Sequence, residues 1–369
     1  MTTEAPDTHG NAAPLAPWLQ RQLEGLLAQN GHAWLLAGPS GLGQFDLALA
    51  LATTWLCDQP TPQGACGHCS SCHSVAVHTH ADLCVLMPEA LSMSLGWPLD
   101  EKTQDELDAK KRKPSKEIKV DAARQAVTFT QVTRSRGNTK VVLVFPAERM
   151  NTITANTLLK TLEEPPGAVK FILATEAAHQ LLPTIRSRCI GHTMVWPDFE
   201  ASLAWLQDAL AAPPPGETTG KKPARATPAA DPAALRVLLR AAGGRPADAL
   251  AWAHSASPTD TARQWQALPQ AMAHGDAHAL TDLTPAAAVE ALQKLCHDVL
   301  ATRASAAPRF FSADDLPATP KAPSSAGLYA LTQWSRELTA TARTVEHPYN
   351  PGLMLEALAS RARQALAAK

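Results

Sequence analysis

The sequence predicts an α/β domain built on a parallel sheet, followed by an all-helical second half. Three observations predict it. Short apolar runs alternate with helical patterns through the first half, the signature of parallel strands joined by crossover helices. One run, residues 32–37, feeds the glycine-rich turn Gly38-Pro39-Ser40-Gly41-Leu42-Gly43, and a helix over residues 45–55 follows it. Beyond residue 232 the pattern is helical throughout.

Further strands are expected at residues 81–87, 140–145 and 170–175. The helix over 154–162 stops at Pro165-Pro166, because proline removes backbone donors and cannot continue it. In the second half, helices are expected at 232–242, 246–254, 265–273, 286–303, 326–344 and 352–368. Three stretches read as loops. Residues 92–119 are dense in charge, with the run Lys110-Lys111-Arg112-Lys113, and read as a mobile solvated insertion. Residues 211–232 carry Pro213-Pro214-Pro215 and read as a linker, and 308–323 as a flexible loop.

With 369 residues, 45% hydrophobic and 18% charged, the chain has material for two or three domains with substantial cores. A net charge of -1 argues against a general polyanion binder, although a local basic surface is compatible with it. No stretch reaches the roughly 18 to 20 apolar residues of a membrane span. Residues 1–14 are polar, unlike a signal peptide, so a cytoplasmic protein is expected.

The glycine turn has the context of a phosphate-binding loop, with Gly38, Gly41 and Gly43 at the required spacing. Its chemistry is missing. Where a working loop has lysine for the β and γ phosphates, Gln44 stands; where it has a magnesium-binding hydroxyl, Phe45 stands. The strand at 140–145 ends in Phe145-Pro146 rather than the acidic pair that holds magnesium and positions water. Glu148 lies three residues past Phe145, a poor substitute. A lone glycine turn of no consequence is an even alternative, but hydrolysis by this chain is not expected.

Seven cysteines are present, and Cys57, Cys66, Cys69 and Cys72 crowd into one window with two C-x-x-C units sharing Cys69. Four thiolates suit a closed tetrahedral zinc site. Free thiols and a redox pair are the alternatives, and His68, His73, His78 or His80 could replace a ligand. A zinc-containing nucleic-acid module would call for basic residues around the cysteines, yet no Lys or Arg lies between Cys57 and Cys72. Cys84 and Cys296 sit in apolar patterns and read as core.

The most specific stretch is Asn156-Thr157-Leu158-Leu159-Lys160-Thr161-Leu162-Glu163-Glu164-Pro165-Pro166. Phe171-Ile172-Leu173-Ala174-Thr175 and then Ile185-Arg186-Ser187-Arg188-Cys189 follow it. In this succession, with the glycine loop and cysteine cluster, residues 14–197 resemble the bacterial clamp-loader AAA+ family. From 198 onward the resemblance rests on helical pattern and residues 350–358.

The resemblance implies an AAA+ domain with a RecA-like parallel sheet over 14–197, containing a zinc module at 57–72 and the insertion at 92–119. Two all-α domains would follow, a small lid at 198–256 and a C-terminal collar at 257–369 that oligomerises. It also implies a ring containing ATPase subunits (gamma/tau) and a delta subunit, which loads a sliding clamp onto primer–template DNA for DNA polymerase III. ATPase members keep the loop lysine and acidic pair. Their loss here implies a non-catalytic subunit, with an ATP-hydrolysing subunit as the alternative. ATP would be bound by the neighbours. Arg188, in the Ser-Arg-Cys motif, would then act in trans as an arginine finger on a neighbour's ATP, with Arg186 as the nearby control.

Overall fold

The computed structural model describes residues 15–137, 139–211, 231–255, 257–318, 324–345, 347 and 350–367. The chain divides between Trp196 and Pro197 into two compact units. Most of the expected linker at 211–232, and residues 319–323, lie outside the described residues.

The first unit runs α1 (Pro17–Leu27), β1 (Ala33–Ala37), α2 (Gln44–Leu56), α3 (Ser70–Ala76), β2 (Leu83–Leu86), α4 (Glu89–Ser94), α5 (Glu101–Asp108), α6 (Val120–Gln131), β3 (Lys140–Val144), α7 (Thr152–Glu163), β4 (Val169–Thr175), α8 (Pro183–Arg186) and β5 (Ile190–Thr193). The five strands form one sheet in the order β2-β3-β4-β1-β5, and every pairing is parallel. The glycine loop leaves the C-terminal end of β1, an interior strand that lies between β4 and β5. The sequence reading omitted β5: its Ile-Gly-His-Thr run is too short and too polar to stand out, and it forms because β1 offers it an edge.

Apart from Lys140, Lys170 and Thr175, strands β3 and β4 are apolar, because helices cover both faces of the sheet. Ala33, Leu35, Val142, Val144, Phe171 and Leu173 pack in one cluster with Ala123 and Ala126 of α6 and Leu158 and Leu162 of α7. The alternate residues Trp34, Leu36, Leu143 and Ile172 are equally buried. By strand alternation they face the other side, where α1 and α2 bury Leu19, Leu23, Leu47 and Leu51. The turn into α7 is set by Asn151, whose side chain accepts from the Thr154 N–H at 2.9 Å.

Residues 92–119 are mostly exposed, as their charge suggests, but they carry α5 and are tethered rather than a plain loop. Glu89, almost fully buried, accepts from both terminal nitrogens of Arg112 (2.5 and 3.0 Å) and from the Ser115 N–H (2.8 Å), and pairs with Lys119 (2.6 Å). Arg112 also reaches Glu106 of α5 at 2.8 Å. The basic run is thus folded back on an acidic anchor that precedes it in sequence.

The second unit is helical: α9 (Phe199–Ala211), α10 (Pro232–Ala241), α11 (Pro246–Ser255), α12 (Pro258–His274), α13 (Pro285–Arg303), α14 (Ser325–Thr344) and α15 (Pro351–Ala367). It holds two apolar clusters. One gathers Leu203, Leu206, Leu235, Leu238 and Leu239, and the other Met272, Leu292, Leu295, Phe311, Leu331 and Trp334. Helix α12 begins at Pro258, earlier than the apolar pattern indicated, because proline at the first helical position nucleates a polar first turn. Residues 308–318 are also more ordered than a flexible loop. The fully buried Asp298 carboxylate accepts from the backbone N–H groups of Arg309, Phe310 and Phe311 at 2.7–2.9 Å, which seats Phe311 in the core. Among the described residues no helix is long and apolar enough to cross a membrane.

The Glu89 anchor carries a pH signature. Burial disfavours its charge, but Arg112, Lys119 and the Ser115 N–H outweigh burial and hold the carboxyl down to about 2, from an ordinary 4.5. A carboxyl lowered on folding contributes stability above about pH 4.5 and loses that contribution as the pH falls toward 2. Glu89→Gln should mimic this loss at neutral pH. Limited trypsin digestion should then cut after Lys110, Lys111 or Arg112 at least several-fold faster than in the wild type, and unchanged cutting would refute the anchor.

Candidate functional site: a filled phosphate loop and a four-cysteine knuckle

Gly41 and Gly43 take positive φ (76° and 90°), as a loop that turns its backbone inward requires. Gln44 then occupies the loop with its own side chain. Its amide Nε2 donates to the carbonyls of Gly38 (2.7 Å) and Pro39 (2.6 Å), and the residue is almost completely buried. The glutamine closes the loop onto itself. The loop is backed by packing: a Cβ on Gly38 would meet Met194 at 2.7 Å, and one on Gly43 would meet Leu19 at 2.7 Å.

The start of α2 and the residue after β3 meet in an apolar contact. Phe45 lies against Phe145 with ring centroids 5.3 Å apart, and Trp97 meets Phe45 edge-on at 6.3 Å. His78 stacks on Trp97 at 4.0 Å. The sequence marked Phe45 and Phe145 as losses but missed Trp97, which belongs to the charged insertion and carries no motif. Glu148 faces elsewhere: its carboxylate accepts from the Thr175 hydroxyl (2.6 Å) and the Glu176 N–H (3.1 Å) at the end of β4.

Arg188 follows α8 and is about a third exposed. Its guanidinium pairs with Glu163, Nε donating at 2.6 Å, and a terminal nitrogen donates to the Thr184 carbonyl at 2.8 Å. Glu163 comes from the Leu-Glu-Glu-Pro-Pro run, so the two most specific sequence motifs meet in one ion pair.

The four sulfurs of Cys57, Cys66, Cys69 and Cys72 all lie within 4.8 Å of one another. Cys57 and Cys69 are 3.8 Å apart, and Cys66 and Cys72 3.9 Å. A tetrahedral zinc with Zn–S near 2.3 Å needs sulfurs about 3.8 Å apart, so the donor set fits a zinc ion. Backbone N–H groups support the sulfurs: Gln59 and Cys66 point at Cys57 (3.4 and 3.3 Å), Cys69 at Cys66 (3.4 Å) and Cys72 at Cys69 (3.4 Å). Helix α3 begins inside the knuckle and buries Cys72. None of His68, His73, His78 and His80 joins the cluster. Without metal the thiols differ. The backbone of His68, then that of Cys69, lowers Cys66 to about 6 against the cost of burial, whereas burial pushes Cys57 and Cys72 up. Cys84 and Cys296 are held apart in the core, and burial raises them to about 11 and about 12.

Residues 17–194 match the protein family described as DNA polymerase III, delta subunit. Over 237 residues the chain is 38% identical to DNA polymerase III subunit delta-prime of Pseudomonas aeruginosa, covering 63% of this chain and 60% of that protein. It is 35% identical over 208 residues to the delta-prime subunit of Escherichia coli, covering 53% of this chain and 55% of that protein. DNA polymerase III subunit tau of Escherichia coli is 31% identical over 219 residues, covering 59% of this chain and 28% of tau. The chain thus spans a little over half the length of the delta-prime relatives it matches.

The knuckle yields a thiol prediction. Protein purified without chelator should carry about one zinc per chain, with Cys57, Cys66, Cys69 and Cys72 slow toward alkylation. After chelation the cluster should alkylate, Cys66 first at pH 7, because a thiol near 6 is already thiolate there. Mass mapping of alkylated sites checks the order. Rapid alkylation of all four before chelation, with no zinc by metal analysis, would remove the metal site.

Proposed function

Because this chain belongs to the delta-prime family of bacterial DNA polymerase III subunits, we propose that it is a non-catalytic member of the clamp-loader ring. In that role it helps to load the sliding clamp onto primer–template DNA within the polymerase holoenzyme. The observation that carries the reading is the filled loop: Gln44 bonded to Gly38 and Pro39, with Phe45 and Phe145 stacked at the magnesium position. An ATPase needs a cation for the phosphates and oxygen ligands for magnesium, and these positions supply an amide and two phenyl rings. Gly38, Gly41 and Gly43 remain as scaffold, and ATP belongs to the gamma/tau neighbours.

The partners follow from the same reading: gamma/tau and delta subunits as ring neighbours, and the clamp and primer–template DNA within the assembled complex. Residues 14–197 form the AAA+ domain, 198–256 a lid and 257–369 a collar for ring assembly. Zinc on Cys57, Cys66, Cys69 and Cys72 has a structural role, because four protein thiolates leave no open position for chemistry.

Arg188 serves the ring as an arginine finger. A guanidinium is charged at every physiological pH and its planar fork matches phosphate oxygens. In the single chain Glu163 neutralises it; a neighbour's γ-phosphate would compete with Glu163 for the same nitrogens. The carboxylate thus keeps the guanidinium oriented until a partner supplies phosphate charge.

Two outcomes test the proposal. The purified chain should show no ATP turnover above background, and turnover abolished by Gly43→Ala or Gln44→Ala would overturn it. In a reconstituted loader, Arg188→Ala should leave assembly intact and lower clamp- and DNA-stimulated hydrolysis only in part. The one site that loses its finger drops by about 10³-fold or more while the others keep theirs. Arg186→Ala should be milder. A normal rate with Arg188→Ala would reduce Arg188 to its ion pair with Glu163.

A further inference from the structure

An open cleft of about 630 Å³ lies at the end of α6, lined by the loop 132–137, Lys140 at the start of β3 and residues 166–169 before β4. Strands β3 and β4 begin here, so in a parallel sheet the cleft lies on the edge opposite the glycine loop. Its lining carries Arg134, Arg136 and Lys140 together with Thr130, Gln131, Thr133 and Ser135; among the described lining residues none is acidic. In a chain of net charge -1 this is a local concentration of positive charge and hydroxyl groups.

The loop is held from two sides. Asp82 is fully buried and accepts from the Ser135 N–H (2.9 Å) and the Arg136 N–H (2.7 Å). The Arg136 guanidinium donates to the Ser70 hydroxyl (2.9 Å), and Ser70 and Ser71 donate to Asp58 (3.3 and 2.9 Å). Those serines lie between Cys69 and Cys72, so the cysteine knuckle fastens the basic loop. Lys140 adds a cost with no visible return. It is 3% exposed, donates to the Phe129 carbonyl at 2.8 Å and lies over the Phe129 ring at 4.3 Å, yet among the described residues no carboxylate pairs with it. A buried ammonium without a counterion is costly, and an oxyanion in the cleft supplies one.

We propose that this cleft binds the phosphodiester backbone of duplex DNA, with Arg134 and Arg136 as its phosphate contacts and the cysteine knuckle as the mount of their loop. The proposal rests on the clamp-loader reading for the identity of the anion. It gives the knuckle a task that its own composition, free of Lys and Arg, does not reveal. Recognition is independent of base sequence, since guanidinium contacts to phosphate carry none.

The test uses the full chain and a fluorescein-labelled primer–template duplex, with anisotropy measured across a salt series. Each duplex phosphate contact contributes about 0.9 to the slope of log affinity against log salt, so Arg134→Gln/Arg136→Gln should lower the slope by about 1.8. Arg134→Lys/Arg136→Lys, which keeps the charge, should retain the slope, and Arg263→Gln/Arg343→Gln in the other unit should not lower it. Zinc content should match the wild type in every variant, and Arg134→Gln alone, which leaves the Arg136–Ser70 bond in place, should lower the slope by about 0.9. An unchanged slope in the Gln pair, or an equal loss in the Lys pair, overturns the proposal. So does full displacement of the duplex by 10 mM inorganic phosphate at matched ionic strength, which would mark a site for a free small oxyanion. Co-purification with gamma/tau and delta separates the two readings. A chain that assembles but shows no charge-dependent slope sinks only the cleft; a chain that never assembles sinks the clamp-loader role.

Discussion

Two strands with no solvent face, β3 and β4, set where the rest of the first unit goes, because a parallel strand buried on both sides must be covered by helices above and below. β1 is thereby fixed inside the sheet, between β4 and β5, and the glycine loop leaves its C-terminal end. The ends of β1, β3 and β4 converge on one edge. Whatever side chains stand at Gln44, Phe45, Phe145 and Thr175 meet there.

That convergence explains how residues distant in sequence close the space around the glycine loop. Gln44 bonds the loop carbonyls, Phe45 and Phe145 pack together, and Trp97 of the insertion covers Phe45. Each contributes apolar contact or an internal hydrogen bond.

Elsewhere, where the chain has little core, it is held by polar anchors. The stretch 57–72 is short and poor in apolar residues, and clustered sulfurs with their N–H donors organise it. Glu89 gathers Arg112, Ser115 and Lys119; Asp82 holds the loop 132–137; Asp298 seats residues 309–311. In each case a buried carboxylate satisfies groups that the sequence presents as loose loop.

By itself the sequence determined the class of the fold, the strands at residues 83–86, 140–144 and 169–175 with their helices, the absent loop lysine and acidic pair, and the four-cysteine spacing. These follow from local periodicity or fixed spacing, which chain order preserves. The tertiary structure alone decided the rest. β5 exists because β1 offers it an edge, and a four-residue polar strand has no pattern of its own. The ordered insertion, the Trp97 contact and the Asp298 anchor join residues with no shared periodicity, and charge density by itself reads as solvent exposure. The pairing of Arg188 with Glu163, and of the loop at 132–137 with Asp82 and Ser70, likewise depends on which elements the sheet brings side by side. Such contacts are set by distance in space, which sequence separation does not encode.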